Sequence, residues 1–279
     1  MAKSRGNRVI FVRWLSGFVC LPLLVVALEM QPWFAEVYEF HLLSSYTYSR
    51  FNHVQGGVPQ LDAPFNVNLL YFDLDFPPAP EWSIDADLQF ADTTQQSFNF
   101  RTTAFQVRYL WLDDIIGDKV SLCTGGSLRF TPSYALHDVS CPSRTNADFE
   151  VNFSIGKEFE VRENWLFRMW GFGAVGHGIS GAPWVRATVA LETNIDDTHK
   201  LALYGEGNNG YGRHARVHTN DFDGYGRIRT KSIDLGLRYG YQLGVWGTLR
   251  IEYARRFLAK AAPAHINAVT VSYLLPFSL

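Results

Sequence analysis

From residue 36 to residue 279, apolar and polar side chains alternate with period two in twelve runs separated by turn residues. That pattern suits extended strands, whose successive side chains point to opposite faces. No stretch of comparable length repeats at the helical period. The runs cover residues 37–51, 67–76, 82–91, 102–112, 120–131, 149–159, 165–176, 184–192, 200–207, 232–242, 248–257 and 266–277. In the second, Leu70, Phe72, Leu74 and Phe76 oppose Tyr71, Asp73 and Asp75. In the tenth, Ile233, Leu235, Leu237, Tyr239 and Tyr241 oppose Asp234, Arg238 and Gln242.

Composition narrows the class further. Aromatic residues make up 15% of the chain and charged residues 19%, too apolar a mixture for disorder. Mean hydropathy is only −0.07, which excludes a bundle of membrane helices. One continuous apolar stretch, residues 14–28, follows Lys3, Arg5, Arg8 and Arg13 and gives way to Glu29, Gln31 and Pro32. A basic flank, an apolar core and a polar exit predict a secretory signal over residues 1–35, with Ala35 as a suitable last residue but Trp33 poorly placed before it. An uncleaved inner-membrane anchor is the alternative. The folded domain is then 36–279. Its net charge is not basic, so nucleic acid is not an expected partner.

Period two alone fits a soluble sandwich as well as a membrane barrel. Three features favour the barrel. Connections from even to odd runs are all short, whereas the long ones fall between odd and even runs, as in an up-and-down barrel with turns on one rim and loops on the other. Phe76, Trp82, Trp111, Phe159, Trp165 and Trp246 all lie beside the short turns, where an aromatic girdle would meet one membrane interface. The opposite face of the runs is ionic, as a wet or ion-paired lumen requires. The predicted fold is all-β, an antiparallel transmembrane barrel of about twelve strands.

The signal, the alternating strands and the final strand AVTVSYLLPFSL resemble bacterial outer-membrane β-barrel proteins. The last strand of that family carries alternating aromatics read by the barrel-insertion machinery. The family's usual terminal Phe is replaced by Leu279, with Phe277 two positions earlier. The resemblance implies residence in the outer membrane, with its lipids and that machinery as partners.

Function is less legible. Asp73, Asp75, Asp85 and Asp87 belong on one wall of a lumen, and Arg238, Arg250 and Arg256 on the other, with Arg108, Arg168 and Arg186 also facing inward. Opposed acidic and basic walls predict a small channel for hydrophilic or charged solutes. The same groups could instead pair into a plug. The loop 208–227 repeats GYGR, so Arg213 and Arg227 are constriction candidates if it tucks inward; a mobile surface loop is favoured slightly. His177 and Ser180 invite comparison with outer-membrane lipid hydrolases, but an offset of three sets them on opposite faces of a strand. A non-conducting structural or adhesive surface protein is the third reading. Cys123 and Cys141 are a candidate disulfide in an oxidising compartment. No clustered His or Cys suggests a metal, and no glycine-rich phosphate loop suggests a nucleotide; no cofactor is expected.

Overall fold

The computed structural model describes residues 30–161 and 164–278. Twelve strands make up its wall: β1 (Glu39–Phe51), β2 (Phe65–Ala79), β3 (Trp82–Thr93), β4 (Asn99–Leu112), β5 (Ser121–Phe130), β6 (Ala147–Val161), β7 (Asn164–Gly178), β8 (Trp184–Ile195), β9 (His199–Gly210), β10 (Lys231–Gln242), β11 (Thr248–Lys260) and β12 (Asn267–Ser278). Each pairs antiparallel with its neighbours in sequence, and β12 returns to β1 with Glu39 opposite Ser278 and Arg50 opposite Asn267. Closure leaves no sheet edge, which is the condition for strands to cross a membrane.

Side-chain direction follows the alternation. Val151, Phe153, Ile155, Val189, Leu203, Leu237 and Ile251 are exposed on the outer face. Their neighbours Glu150, Asn152, Ser154, Thr188 and Glu252 are buried inside. An outer wall this apolar would be unstable in water, and hydrocarbon is the solvent that suits it.

The short turns and the long loops separate to opposite rims, as the connection lengths predict. At the β8–β9 turn Asp196 and Asp197 adopt φ values of 53° and 54°, a left-handed conformation that aspartate tolerates better than branched residues. In barrels of this kind the short-turn rim is periplasmic. Trp82, Trp111 and Trp246 are exposed on that rim, and Phe76 stacks on Phe40 at 4.4 Å. Phe159 packs near Phe167 at 5.9 Å. Trp165 departs from the expected ring: its indole lies 4.3 Å from the guanidinium of the lumenal Arg168, a cation–π contact.

The long loops do not hang free. Phe51, Val54, Phe65, Val67, Val139, Val217, Phe222, Tyr225, Ile228 and Ile266 form one buried apolar cluster across the outer mouth. Residues 217–218 pair in parallel with residues 57–58, and residues 263–264 pair antiparallel with residues 53–54. The expectation of a mobile 208–227 loop is therefore corrected. Its apolar side chains bury against the first and third outer loops, and that burial orders it. The GYGR repeat is part of the same order: Gly212 lies so close to the backbone of Arg227 that a Cβ would meet it at 2.3 Å, and the His214 amide donates to the Arg227 carbonyl at 3.0 Å.

Candidate functional site: the lumen

The ten lumenal charges expected from sequence all sit on the inward-facing register of their strands. Along β2 and β3 the acids oppose each other directly, Asp73 facing Asp87 and Asp75 facing Asp85. All four are buried. Ser83 donates to Asp75 at 2.7 Å, and Arg108 on β4 lies 3.4 Å from Asp85 and donates to Ser83 at 3.1 Å. The four acids thus share one wall, with Arg108 beside Asp85 and Arg129 acting on Asp87 among its counter-ions.

The basic wall is different. Arg186 on β8 makes a two-pronged pair with Glu150 on β6, at 2.8 and 2.9 Å. Arg168 on β7 donates to Glu192 at 2.7 Å, Arg238 pairs with Glu252, and Arg256 forks onto Asp234 at 2.7 Å. Trp170 and Tyr204 also donate, to Glu192 at 3.1 Å and to Glu252 at 2.7 Å. Of the two readings the sequence left open, opposed charged walls or groups paired into a network, the basic side follows the second: Arg168, Arg238 and Arg256 have carboxylates on adjacent strands, and Arg186 has one two strands away. A buried guanidinium without such a partner carries a large desolvation cost, and each carboxylate offsets it. The lumen is thus asymmetric, with an excess of acid on β2–β3 and mostly paired ions from β6 to β11.

Arg213 and Arg227 do not form a constriction. Both are exposed on the outer cap. The arginine that does reach inward there is Arg144, missed in the sequence because it lies in an irregular loop with no periodic signal. Arg144 is buried, donates to Thr230 at 2.9 Å and to Asn208 at 2.7 Å, and lies 5.8 Å from the Trp184 ring. Burial lowers its pKa to about 10 despite the opposing influence of Asp148.

The second feature missed is at the opposite end. Residues 30–35, assigned by sequence to the leader, lie inside the barrel near the periplasmic rim; residues 1–29 of that assignment lie outside the described part. Arg108 donates to the Gln31 carbonyl at 2.7 Å, and the Gln31 side chain accepts from Arg168 at 3.0 Å and donates to Glu192 at 3.2 Å. Trp33 donates to Asp114 at 2.9 Å, and the guanidinium of Arg168 lies 5.0 Å from its ring. Arg108 stands 4.8 Å from the Phe34 ring. Gly156 on β6 makes room: a Cβ there would come within 2.7 Å of Pro32 and 2.8 Å of Trp33. An apolar stretch next to a leader carries no local sign that it will turn back into a lumen.

His177 and Ser180 are not brought together as a catalytic pair. His177 projects from the outer face at the end of β7, its Nδ1 beside the Gly178 carbonyl, and Ser180 is exposed in the following turn. No hydrogen bond joins them among the described residues. Cys123 and Cys141 are both free and buried, so the candidate disulfide is corrected as well. Cys123 is near the periplasmic end of β5, whereas Cys141 belongs to the outer loop cap.

The same barrel occurs in known channels. An outer-membrane channel from Pseudomonas putida F1 superposes with a TM-score of 0.58 at 11% identity, covering 88% of this chain and 98% of that one. The NanC porin gives 0.56 at 9% identity, covering 85% and 100%. At such identities the likeness is one of fold. No protein-family model matches the sequence, and no curated protein is similar to it.

Proposed function

We propose that this chain is a bacterial outer-membrane channel for small hydrophilic solutes, charged or dipolar ones above all. The observation that carries the reading is a charged, hydrogen-bonded interior enclosed by an outer wall of exposed apolar side chains. A purely structural barrel could seal its interior more cheaply with apolar packing, because buried ion pairs add little net stability. The acid excess on β2–β3, facing the arginines of β7–β11, sets a field across the lumen that would orient a dipolar solute. That two outer-membrane channels share the architecture agrees with this assignment. The outer loops and residues 30–35 narrow the path at its two ends, so conduction is expected in small steps.

Residues 1–29 serve as the export signal on this reading, and β12, which closes the barrel on β1, is the segment offered to the insertion machinery. The test is reconstitution into a planar lipid bilayer. Discrete current steps support a channel; a membrane that holds the protein and passes no current contradicts it.

A further inference from the structure

The segment that precedes β1 crosses the lumen. Residues 36–38 are exposed at the periplasmic rim, where the Tyr38 amide donates to the Pro77 carbonyl at 3.1 Å, beside β1 and β2. Pro32 is buried, and Gln31 donates to Glu192 on β8 at 3.2 Å. The Met30 sulfur accepts from Arg186 and Thr188 on the same strand, both at 3.7 Å. In the closed ring of twelve strands, β1 and β8 stand five places apart one way round and seven the other. A segment tied at both must run from one side of the pore to the other.

The wall is shaped to receive it. The inward register of β7 is apolar at Trp170, Phe172 and Ala174, and with Ala190 these form a buried cluster against which Met30 and Trp33 pack. Uncovered, such a patch would face a wet lumen at a cost. Gly156 leaves the space that Pro32 and the Trp33 ring occupy. Polar groups at the edges match as well: Arg108 donates to the Gln31 carbonyl, Arg168 to the Gln31 side chain, and the Trp33 indole to Asp114. Apolar packing, a glycine cradle and paired hydrogen bonds all fall on the same short segment. We propose that residues 30–35 are retained in the mature protein as a plug, which bars the periplasmic half of the pore when docked and opens it by leaving. The proposal rests on the channel reading and adds a gate to it.

Single-channel recording of the full protein, purified from membranes, tests this, each variant first checked for a folded barrel by heat-modifiable migration on gels. Gln31→Ala/Trp33→Ala removes the segment's anchors and leaves the wall intact; its conductance is expected to rise severalfold over the parent's. The opposite change locks the segment in place. A Cβ at position 156 comes within 2.7 Å of the Pro32 ring, so Pro32→Cys and Gly156→Cys lie within bridging reach, with Cys123 and Cys141 replaced by serine. The bridged protein, its bridge confirmed by mass, is expected to keep to the smallest conductance and to regain larger openings on reduction. A release variant that conducts as the parent does, or a bridged one that conducts as it does when reduced, overturns the plug. So does a mature N-terminus at Glu36, with the segment gone. Silence of both the parent and the release variant in every salt would instead remove the channel reading itself.

Discussion

The indole N–H of Trp33 donates to the Asp114 carboxylate at 2.9 Å, joining the segment that precedes β1 to the turn between β4 and β5. Asp114 is the hub of that turn. It also accepts from Ser121 and from the Glu158 amide, and it lies 3.3 Å from Lys157. Burial by itself would raise its pKa, but these donors outweigh it and hold the carboxyl below the ordinary aspartate value.

The pH dependence follows from that direction. A depressed carboxyl contributes stability that is present above the ordinary aspartate pKa, about 3.9, and is lost as pH falls through its lower folded value. Residues 30–35 are therefore expected to stay docked at neutral pH and to loosen in acid. Hydrogen exchange of these residues, expressed as protection relative to the intrinsic rate at each pH, checks it: lower protection in acid for the parent, and protection already lost at neutral pH for Asp114→Ala. Equal protection of the parent across the range would contradict the link.

Gly156 offers a second handle on the same segment. Gly156→Val places atoms where Pro32 and Trp33 now sit, so the segment must shift while the β6 backbone, already extended, accepts the side chain. The expected outcome is loss of exchange protection at residues 30–35 with the barrel's heat-modifiable migration on gels retained. Protection identical to the parent's would show that the segment is not packed there.

The Arg186–Glu150 pair should behave as a buried ion pair. Glu150→Ala leaves the guanidinium without its carboxylate, at a cost of about 3–5 kcal/mol, and replacing both residues with apolar ones should cost much less. Denaturant unfolding in lipid vesicles measures both variants. Equal effects from the single and double changes would contradict the pairing.

On the outer mouth, Arg144→Ala removes the donors that tie the third outer loop to Asn208 and Thr230. Limited proteolysis is expected to cut the loop at 211–230 faster than in the parent. An unchanged cleavage rate would show that the apolar cluster alone holds the cap.

Much of the wall was legible because a strand writes its two environments into alternate residues. Ile233, Leu235 and Leu237 against Asp234 and Arg238 suffice to place β10 and its inward face. Turn lengths then gave the rims. What stayed hidden depends on register or on distant segments. That Arg238 meets Glu252 follows only when β10 and β11 pair residue for residue. The parallel contact of residues 217–218 with residues 57–58 joins loops far apart in the chain, and neither loop has a period that announces it. Gln31 and Trp33 read as the end of a leader because apolar composition there says nothing about where the chain goes next.

Alternate residues of β8 give the most direct test of a wet interior inside an oily wall. With the native cysteines replaced by serine, single cysteines are placed in turn at positions 185–192 of the membrane-inserted protein and offered a small water-soluble thiol reagent. Even positions such as Thr188→Cys should react and odd ones such as Val189→Cys should stay protected, answering instead to a lipid-borne quencher when labelled. Reactivity with no alternation, or with the odd positions reacting, would contradict the account.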